Sequence, residues 1–429
     1  MATLKAVRGT RDLLPPETAL WNRIEATARA VFARYNFGEI RTPIFEDTSL
    51  FARGVGEETD IVSKEMYTWE DRARAQSEKA QSLTLRPENT AGVVRAYIEH
   101  KLGETGQLQK LYYIGPQFRR ERPQKGRYRQ FWQIGAEVIG PPSAGSESPL
   151  RDAEVLEMLA TLLDELGITG WTLELNSVGS AADRARYNET LRAVLVSVAP
   201  RMCADCQRRA VTNPLRVLDC KVPEDQPIID SLPKITDSLG EESKKHFAAV
   251  TAALDAAVVP YTLNSRLVRG LDYYTRTTFE FTHGGLGAQN ALLGGGRYDG
   301  LSEAIGGPKA PGIGFAMGLD RLVLTLQASE SVQASASTKR DAYIAPLGEN
   351  LNATALTLAR ELRRAGLSIE LGDGSFRLKK SFEAADKAAR RIVILGEDEL
   401  QSGILTVKHF ASGIQSGIPR AELAAFLAK

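Results

Sequence analysis

A cluster of arginines is the first set of residues in this chain that could do chemistry. The stretch "FRRERPQKGRYRQ" sets six basic residues against the single acid Glu121, the bases being Arg119, Arg120, Arg122, Lys125, Arg127 and Arg129. Guanidinium groups beside aromatic rings suit bidentate binding of phosphate and stacking on a base, and Phe118 and Phe131 flank this cluster. The pattern therefore predicts contact with a nucleotide or a nucleic acid. A solvated hairpin tip is the alternative.

Three acidic or amide residues are candidates for binding a small charged molecule. Glu88 follows "LRP" at a predicted strand end, and Gln133 and Glu137 lie in a second predicted strand, "QIGAEV". Because side chains alternate along a strand, Gln133 and Glu137 face the same side of the sheet. They either line a cleft or meet solvent, and their spacing does not distinguish the two.

The segment "LVRGLDYYTRTTFEF", residues 267–281, combines two patterns. In its second half threonine and phenylalanine alternate with other residues, which predicts a half-buried strand. Its first half sets an arginine and an aspartate beside two tyrosines, Arg269, Asp272, Tyr273 and Tyr274. An ordinary strand does not require these residue types together, so the first half is a candidate functional segment.

Two glycine-rich stretches do not match nucleotide-binding signatures. "GIGFAMG" lacks the G-x-G-x-x-G spacing of dinucleotide-binding folds, and the chain contains no Walker P-loop. We therefore expect close packing of strand against helix or ligand at this stretch. Strand structure is predicted through "NALLGGGRYDGL", and the turn-prone "GGGRYDG" within it lets the backbone approach another group closely.

The cysteines and histidines offer little for a metal site. Cys203, Cys206 and Cys220 form a Cys-x-x-Cys pair plus one more thiol, whereas a structural zinc site needs four ligands. The nearest histidine, His246, is distant along the chain and in a helical context. We therefore expect reduced thiols and no bound metal. None of the four histidines lies in a motif, which disfavours histidine catalysis.

Composition limits the class of protein. A chain of 429 residues with 25% charged residues and a net charge of +1 predicts a globular protein of two or three domains. No apolar run approaches the ~20 residues of a membrane span, and the first residues lack the apolar stretch of a signal peptide. An odd number of cysteines favours a reducing cytoplasm.

Hydrophobic periodicity outlines the organisation. It predicts a first helix over residues 17–35 and a strand at "GEIRTPIFED", which Pro43 confines to an edge or an end. We expect a catalytic domain over residues 1–326, interrupted by a mainly helical insertion at about 180–259. The Ser/Ala/Gln-rich residues 327–340 predict a linker. Residues 341–429 then alternate strands and helices, as a small α/β domain does.

In their order along the chain, these motifs resemble those of class II aminoacyl-tRNA synthetases, and of bacterial-type histidyl-tRNA synthetases in particular. "RGTRDLLPPE" resembles the opening of that family, "TLRPENTAG" its amino-acid loop, and "RTPIFE", "FRRERPQKGRYRQFWQIGAEV" and "GIGFAMGLDRL" its three class motifs. "LVRGLDYYTRTTFEF" and "GGGRYDGL" resemble its histidine-specific motifs. Asn89 and Arg120 stand where other residues are usual. The resemblance implies an α+β fold, with an antiparallel catalytic sheet flanked by helices, a helical insertion and a C-terminal α/β anticodon-binding domain.

The resemblance also implies roles for individual residues. Histidine would be bound by Glu88, Asn89, Thr90, Gln133, Glu137, Tyr273 and Tyr274. Within that set, Glu137 would accept a hydrogen bond from the imidazole ring. Arg119 and Arg269 would act on the α-phosphate of ATP as catalytic residues, and Arg321 would bind the γ-phosphate.

The implied reaction fits these residue types. The carboxylate of histidine attacks the α-phosphorus of ATP, which gives histidyl-adenylate and pyrophosphate, and the adenylate then acylates the 3′ end of the tRNA. Since the substrate supplies the nucleophile, the protein must supply orientation and positive charge. Magnesium bound to the phosphates would add to that charge.

The implied partners are the tRNA for histidine and a second copy of the chain. The segment "RLKKSFEAADKAARR", residues 377–391, is a predicted basic helix that suits phosphate contacts, with a solvated surface helix as its alternative. Candidate tRNA-binding residues are Arg122, Lys125, Arg127, Lys379 and Lys380. A homodimer in the cytoplasm is the expected state.

Two other functions compete with the ligase. The first is the synthetase-like regulatory subunit of ATP phosphoribosyltransferase, whose family lacks the anticodon domain and loses parts of the histidine motifs. The second is an RNA-binding module without catalysis, which would have no use for Glu88, Gln133 and Glu137. This chain retains "RGLDYYTRT", Arg119, Arg321 and about ninety residues beyond the linker, which favours the ligase.

Overall fold

The computed structural model describes residues 3–57, 59–71, 80–124, 126–286, 290–328 and 339–429. Lys125 and most of the predicted linker, residues 329–338, lie outside these ranges. The chain divides between Val332 and Gln333 into two compact units. No helix in the described part of the chain is long and apolar enough to cross a membrane.

The first unit is built on an eight-stranded sheet. Its strands, in spatial order, are β1 (Gly38–Glu39), β5 (Gln109–Phe118), β6 (Gln130–Ile139), β11 (Gly312–Gly318), β10 (Ala291–Arg297), β9 (Thr275–His283), β7 (Trp171–Ser177) and β8 (Thr262–Leu263). The six strands from β5 to β7 are antiparallel, and the short edge strands β1 and β8 pair in parallel. This arrangement confirms the predicted antiparallel sheet of an α+β fold.

A second, three-stranded sheet consists of β2 (Phe45–Asp47), β4 (Gln81–Leu85) and β3 (Tyr67–Asp71). The single strand predicted at "GEIRTPIFED" is therefore wrong, because its two ends belong to different sheets as β1 and β2. Pro43 lies between them. A proline has no N–H to donate to a ladder, so one strand could not run through this position.

Helices cover one face of the large sheet. The helices of the first unit are α1 (Glu17–Arg34), α2 (Thr48–Val55), α3 (Thr90–Glu99), α4 (Pro149–Glu165), α5 (Ala181–Val198), α6 (Ala204–Thr212), α7 (Gln226–Asp230), α8 (Glu241–Ala256), α9 (Leu301–Ala304) and α10 (Leu319–Ala328). Apolar residues at helical spacing in α1 and α4 pack with Ile134 and Ala136 of β6 and Phe279 of β9. The alternate residues of these strands are left for the opposite face.

Strand β9 is buried more completely than the alternation in the sequence predicts. Thr277, Thr278 and Phe279 are all fully buried, so the prediction of a half-buried strand is wrong. The reason is position: β9 lies between β10 and β7 in the sheet, and the protein covers both of its faces.

The segment from residue 180 to residue 259 is mainly helical, and its helices pack in two ways. Helices α5 to α7 and the 3₁₀ turns around them form a separate apolar cluster that includes Tyr187, Leu191 and Cys206. Helix α8 instead buries Val250 and Leu254 in the main core against the sheet. The separate cluster is therefore shorter than the predicted insertion.

The second unit is a five-stranded mixed sheet with helices. The strands, in spatial order, are β13 (Ile369–Leu371), β12 (Ala342–Pro346), β14 (Arg391–Leu395), β15 (Ile404–His409) and β16 (Gln415–Pro419). Its helices are α11 (Asn352–Arg364), α12 (Leu378–Ala388), α13 (Glu397–Ser402) and α14 (Leu423–Leu427). The first three strands are parallel and the last two pair antiparallel, so the unit begins as a βαβ fold.

Candidate active site

A cleft on the open face of the large sheet collects most of the predicted site residues. Those that line it are Glu88, Thr90, Arg119, Arg127, Gln133, Arg269, Tyr273, Tyr274 and Arg321. They come from β6, the start of α3, the loop that joins β5 to β6, the segment before β9, and α10. Only the fold brings together residues more than two hundred positions apart.

Two glutamates meet at the N-terminus of α3, with Thr90 between them. The carboxylate of Glu88 accepts hydrogen bonds from the amides of Thr90 and Ala91, at 2.7 and 3.0 Å. The hydroxyl of Thr90 donates to Oε1 of Glu137 at 2.8 Å. Burial raises the pKa of Glu88, although the two amides oppose that shift. Thr90 therefore fixes the positions of both carboxylates.

Burial raises the pKa of Glu137 to about 8, with a further contribution from the charge of Glu88. The fully buried Glu137 still has one oxygen, Oε2, without a hydrogen-bond partner in the protein. Two polar atoms of residues that line the cleft are in the same state, namely Gln133 Oε1 and Arg269 Nε. Buried polar atoms are nearly always hydrogen-bonded. A group of such atoms at one cleft indicates that the cleft binds a polar ligand, which supplies the missing hydrogen bonds.

Tyr273 and Tyr274 form the aromatic wall of the cleft. Their ring centroids are 4.7 Å apart, and the ring of Tyr298 meets Tyr273 edge-on at 6.0 Å. Both side chains are at least nine-tenths buried. Such an arrangement suits a planar ring that is held edge-to-face or offset-stacked against aromatic neighbours.

Arginines also line the cleft. Arg119 donates through Nε to the carbonyl of Pro87 at 2.9 Å and lies over the ring of Phe131. Arg321 donates to the carbonyl of Ala291 at 2.6 Å. Burial lowers the pKa of Arg321, and the charge of Arg127 lowers it further. Guanidinium groups that repel one another in this way would be stabilised by a bound polyanion.

The glycine motifs provide the floor on which these side chains lie. A Cβ atom at Gly294 would come within 2.5 Å of Nη2 of Arg269, and one at Gly314 would overlap the carboxylate of Glu137. Gly294 lies inside strand β10, as predicted for "NALLGGGRYDGL", and the turn of this segment follows the strand at residues 299–300. The predicted close approach of another group to the backbone of "GGGRYDG" is confirmed by the guanidinium of Arg269 over Gly294.

Several residues of the cleft were not predicted from the sequence. Tyr113, Tyr128 and Asp320 line it, and Tyr298 lies against Tyr273. Tyr113 lies on β5 opposite Gly135, and a Cβ at that glycine would overlap its hydroxyl. The sequence signal that could have identified Tyr113 is a large polar residue opposite a glycine on the neighbouring strand. That signal can be used only when the register of the two strands is known.

Five of the described predicted residues are not among those that line the cleft, namely Asn89, Arg122, Glu137, Lys379 and Lys380. Glu137 is fully buried, and Lys379 and Lys380 belong to the second unit. Asn89 caps α3 without a side-chain hydrogen bond to the helix, and its Oδ1 instead accepts from the hydroxyl of Thr42 at 2.6 Å. Arg122 is exposed to solvent. Lys125 lies outside the described residues.

An antiparallel sheet with glutamates, tyrosines and arginines gathered at a cleft on one of its faces is the arrangement expected for the catalytic core of a class II aminoacyl-tRNA synthetase. The sequence profile of the family described as histidyl-tRNA synthetase matches residues 9–322, and that of the anticodon binding domain matches residues 341–429. The chain belongs to the histidyl-tRNA synthetase family.

Relatives cover the full length of the chain. The histidine–tRNA ligase of Koribacter versatilis is 72% identical over 99% of this chain and 96% of its own length. That of Solibacter usitatus is 56% identical over 99% of both chains. The crystal structure of the apo histidyl-tRNA synthetase of Staphylococcus aureus superposes with a TM-score of 0.81 at 38% identity, covering 100% of both chains.

Proposed function

We propose that this chain activates L-histidine with ATP and transfers it to the 3′ end of the tRNA for histidine. The observation that carries the proposal is the set of buried polar atoms without protein partners, Gln133 Oε1, Glu137 Oε2 and Arg269 Nε among them, at a cleft that arginines also line. Such a cleft suits a polar amino acid at one end and a polyphosphate at the other.

The histidine subsite is the end that holds the two glutamates and the two tyrosines. The free oxygen of Glu137 accepts a hydrogen bond from the imidazole N–H, while the rings of Tyr273 and Tyr274 flank the imidazole. Glu88, Thr90 and Gln133 hold the amino and carboxylate groups. Specificity follows because a ligand without a ring N–H leaves the buried acceptor oxygen of Glu137 without a hydrogen-bond partner, which is unfavourable.

The ATP subsite is the arginine end. Arg119 and Arg269 contact the α-phosphate from two sides and act as the catalytic residues, and Arg321 contacts the γ-phosphate. As the carboxylate of histidine attacks phosphorus, negative charge builds on the α-phosphate oxygens, and fixed guanidinium groups stabilise that charge without rearranging. Arg127, which was predicted to contact tRNA, lines the same cleft and is equally placed to contact phosphate.

ATP enters as its magnesium complex. Glu121 lines the cleft between Arg119 and Arg127, at 3.8 and 3.2 Å from their guanidinium nitrogens. Its carboxylate, with phosphate oxygens, offers the hard oxygen ligands that magnesium prefers. The ion would neutralise charge on the phosphates.

The tRNA contacts involve the second unit and the loop between β5 and β6. Lys379 and Lys380 are exposed in the first turn of α12, and Arg122 is exposed in the loop. Their exposure supports a role in contacting the phosphate backbone, with Lys125 and Arg127 as further candidates.

A homodimer in the cytoplasm completes the proposal. Ile44 and Phe45 are 44% and 53% exposed, and Trp69, which packs against Phe45, is 40% exposed. An apolar patch of this kind on the small sheet suits burial against a second copy. The cytoplasm is where aminoacyl-tRNA is consumed.

The test is ATP–pyrophosphate exchange with the purified protein and each amino acid in turn, followed by charging of tRNA. We expect exchange with histidine alone and histidine transfer to one tRNA. Absence of exchange with every amino acid would favour the regulatory subunit, and RNA binding without exchange would favour the RNA-binding module. The anticodon-binding match at residues 341–429 already argues against the regulatory subunit.

A further inference from the structure

The separate helical cluster of the first unit contains a group of four potential metal ligands. The ligand atoms of Cys203, Cys206, Cys220 and Asp225 all lie within 4.8 Å of one another. The sequence offered three cysteines and no fourth ligand, because Asp225 belongs to no recognisable motif. The fold supplies it by placing the turn before α7 next to the start of α6.

Two of the distances within the group are close to those of tetrahedral coordination. Two thiolates bound to one zinc ion at about 2.3 Å are about 3.8 Å apart, and a thiolate and a carboxylate oxygen are about 3.5 Å apart. The Sγ atoms of Cys203 and Cys220 are 3.8 Å apart, and Cys220 Sγ is 3.2 Å from Asp225 Oδ2. A disulfide between these sulfurs would require a separation of about 2.05 Å.

The surroundings suit a bound cation. Cys206, Cys220 and Asp225 are at most 4% exposed, so the group is built into the interior. The donors to the Asp225 carboxylate are neutral, namely the amide of Cys203 at 3.0 Å and the thiol of Cys220. A buried carboxylate with neutral partners is costly, and a divalent cation would remove that cost.

The backbone around the group is arranged as in thiolate sites. The amide of Val222 donates to Sγ of Cys220 at 3.4 Å. Cys203 caps the N-terminus of α6, and Cys206 lies in its first turn. A hydrogen bond from a backbone amide to a ligand sulfur orients the ligand and tunes a metal site.

We propose that Cys203, Cys206, Cys220 and Asp225 bind one structural zinc ion. On binding, Zn²⁺ displaces the thiol protons to solvent and takes the carboxylate as its fourth ligand. The ion links α6, the 3₁₀ turn at Pro214–Asp219 and the start of α7, which are short elements with a small core of their own. Asn213 follows the end of α6 and donates a hydrogen bond to the side chain of Asp272 at 3.1 Å. By fixing α6, the metal would therefore also stabilise the segment before Tyr273.

The experiment measures zinc in the full-length protein, purified in reducing buffer without chelator and dialysed against metal-free buffer. We expect about one zinc ion per chain, and X-ray absorption with three sulfur neighbours at about 2.3 Å and one oxygen at about 2.0 Å. Cys203→Ser and Asp225→Ala should lose most of the zinc. Asp225→Cys should retain it with four sulfur neighbours, which distinguishes loss of a ligand from loss of the fold.

The matched control is Glu224→Gln, which removes the exposed acid next to Asp225 and should leave the zinc content unchanged. A wild-type protein that remains metal-free after incubation with zinc chloride would overturn the proposal. So would zinc that Cys203→Ser and Asp225→Ala retain as fully as the control. Either result can be told apart from failure of the proposed ligase activity, because the readout is metal content and not turnover.

Discussion

Arg269 forms an ion pair with Glu280 of strand β9, with Nη1 at 2.9 Å from Oε2, and not with its neighbour Asp272. Asp272 instead accepts a hydrogen bond from Asn213. Glu280 holds the guanidinium over Gly294 at the cleft, while Arg269 Nε has no protein partner. The pair therefore orients Arg269 and leaves donor capacity for a ligand.

Arg269→Ala should abolish most adenylate formation. The lost charge acts where negative charge builds at phosphorus, so kcat should fall ~100-fold or more, while histidine binding changes much less. Arg269→Lys should rescue only part, because lysine lacks the planar two-pronged donor. Single-turnover adenylate formation and equilibrium histidine binding measure the two effects.

A double variant separates the chemical role of Arg269 from a structural one. Arg269→Ala alone leaves Glu280 as a half-buried carboxylate without its cation, so some stability is lost. Adding Glu280→Gln removes that charge and should restore the melting temperature without restoring adenylate formation. Recovery of both stability and activity in the double variant would mean that Arg269 is structural.

Gly294→Ala should slow adenylate formation while the fold stays intact. The three atoms nearest to the added methyl group all belong to the guanidinium of Arg269, with Nη2 at 2.5 Å, so the guanidinium moves away. Gly300→Ala is the matched control, since a Cβ there has no atom within 4 Å. Thermal unfolding and pyrophosphate exchange of both variants provide the comparison. Equal activity in the two would show that the position of Arg269 is not critical.

Glu137→Gln should weaken histidine activation far more than ATP binding. A charge-assisted hydrogen bond from the imidazole N–H is worth about 1.5–3 kcal/mol, so KM for histidine should rise roughly 10- to 100-fold. Pyrophosphate exchange at varied histidine and at varied ATP separates the two substrates. An unchanged KM and exchange rate would exclude Glu137 as the partner of the ring.

The raised pKa of Glu137 has a consequence for the ligand-free protein. The pKa of Glu137 is about 8 in the folded protein against an ordinary value of 4.5. Between pH 4.5 and pH 8, the folded state therefore keeps a proton that the unfolded state has lost. The free energy of unfolding therefore decreases as pH rises through this window, by at most about 1.4 kcal/mol per pH unit from this group. Urea unfolding at several pH values should show a smaller decrease for Glu137→Gln. Parallel curves would indicate that Glu137 is ionised in the folded protein.

A shortened chain that ends at Ala328 should still form adenylate but charge tRNA poorly. The division into two units falls beyond this residue, and every residue that lines the cleft precedes it. Pyrophosphate exchange tests the first half of the reaction and tRNA charging the second. Charging equal to that of the full chain would contradict a tRNA-binding role for residues 341–429, and loss of exchange in a folded short chain would contradict independence of the units.

The sequence by itself determined the features that depend on local pattern. Periodic apolar residues predicted α1, the β5–β6 pair and the βαβ start of the second unit, because a helix or strand face must be apolar wherever it meets a core. The alternation in "QIGAEV" correctly placed Gln133 and Glu137 on one face, since side-chain direction along a strand is a local property.

The tertiary structure alone decided which distant groups meet. Glu280 as the partner of Arg269, Asp225 beside three cysteines and Tyr113 opposite Gly135 all depend on strand register and on loops that approach from different parts of the chain. Asn89 faces Thr42 and β9 is buried on both faces for the same reason. Contacts of this kind depend on how whole helices and strands pack together. The packing energy is a sum over many residues, and no single local pattern specifies it.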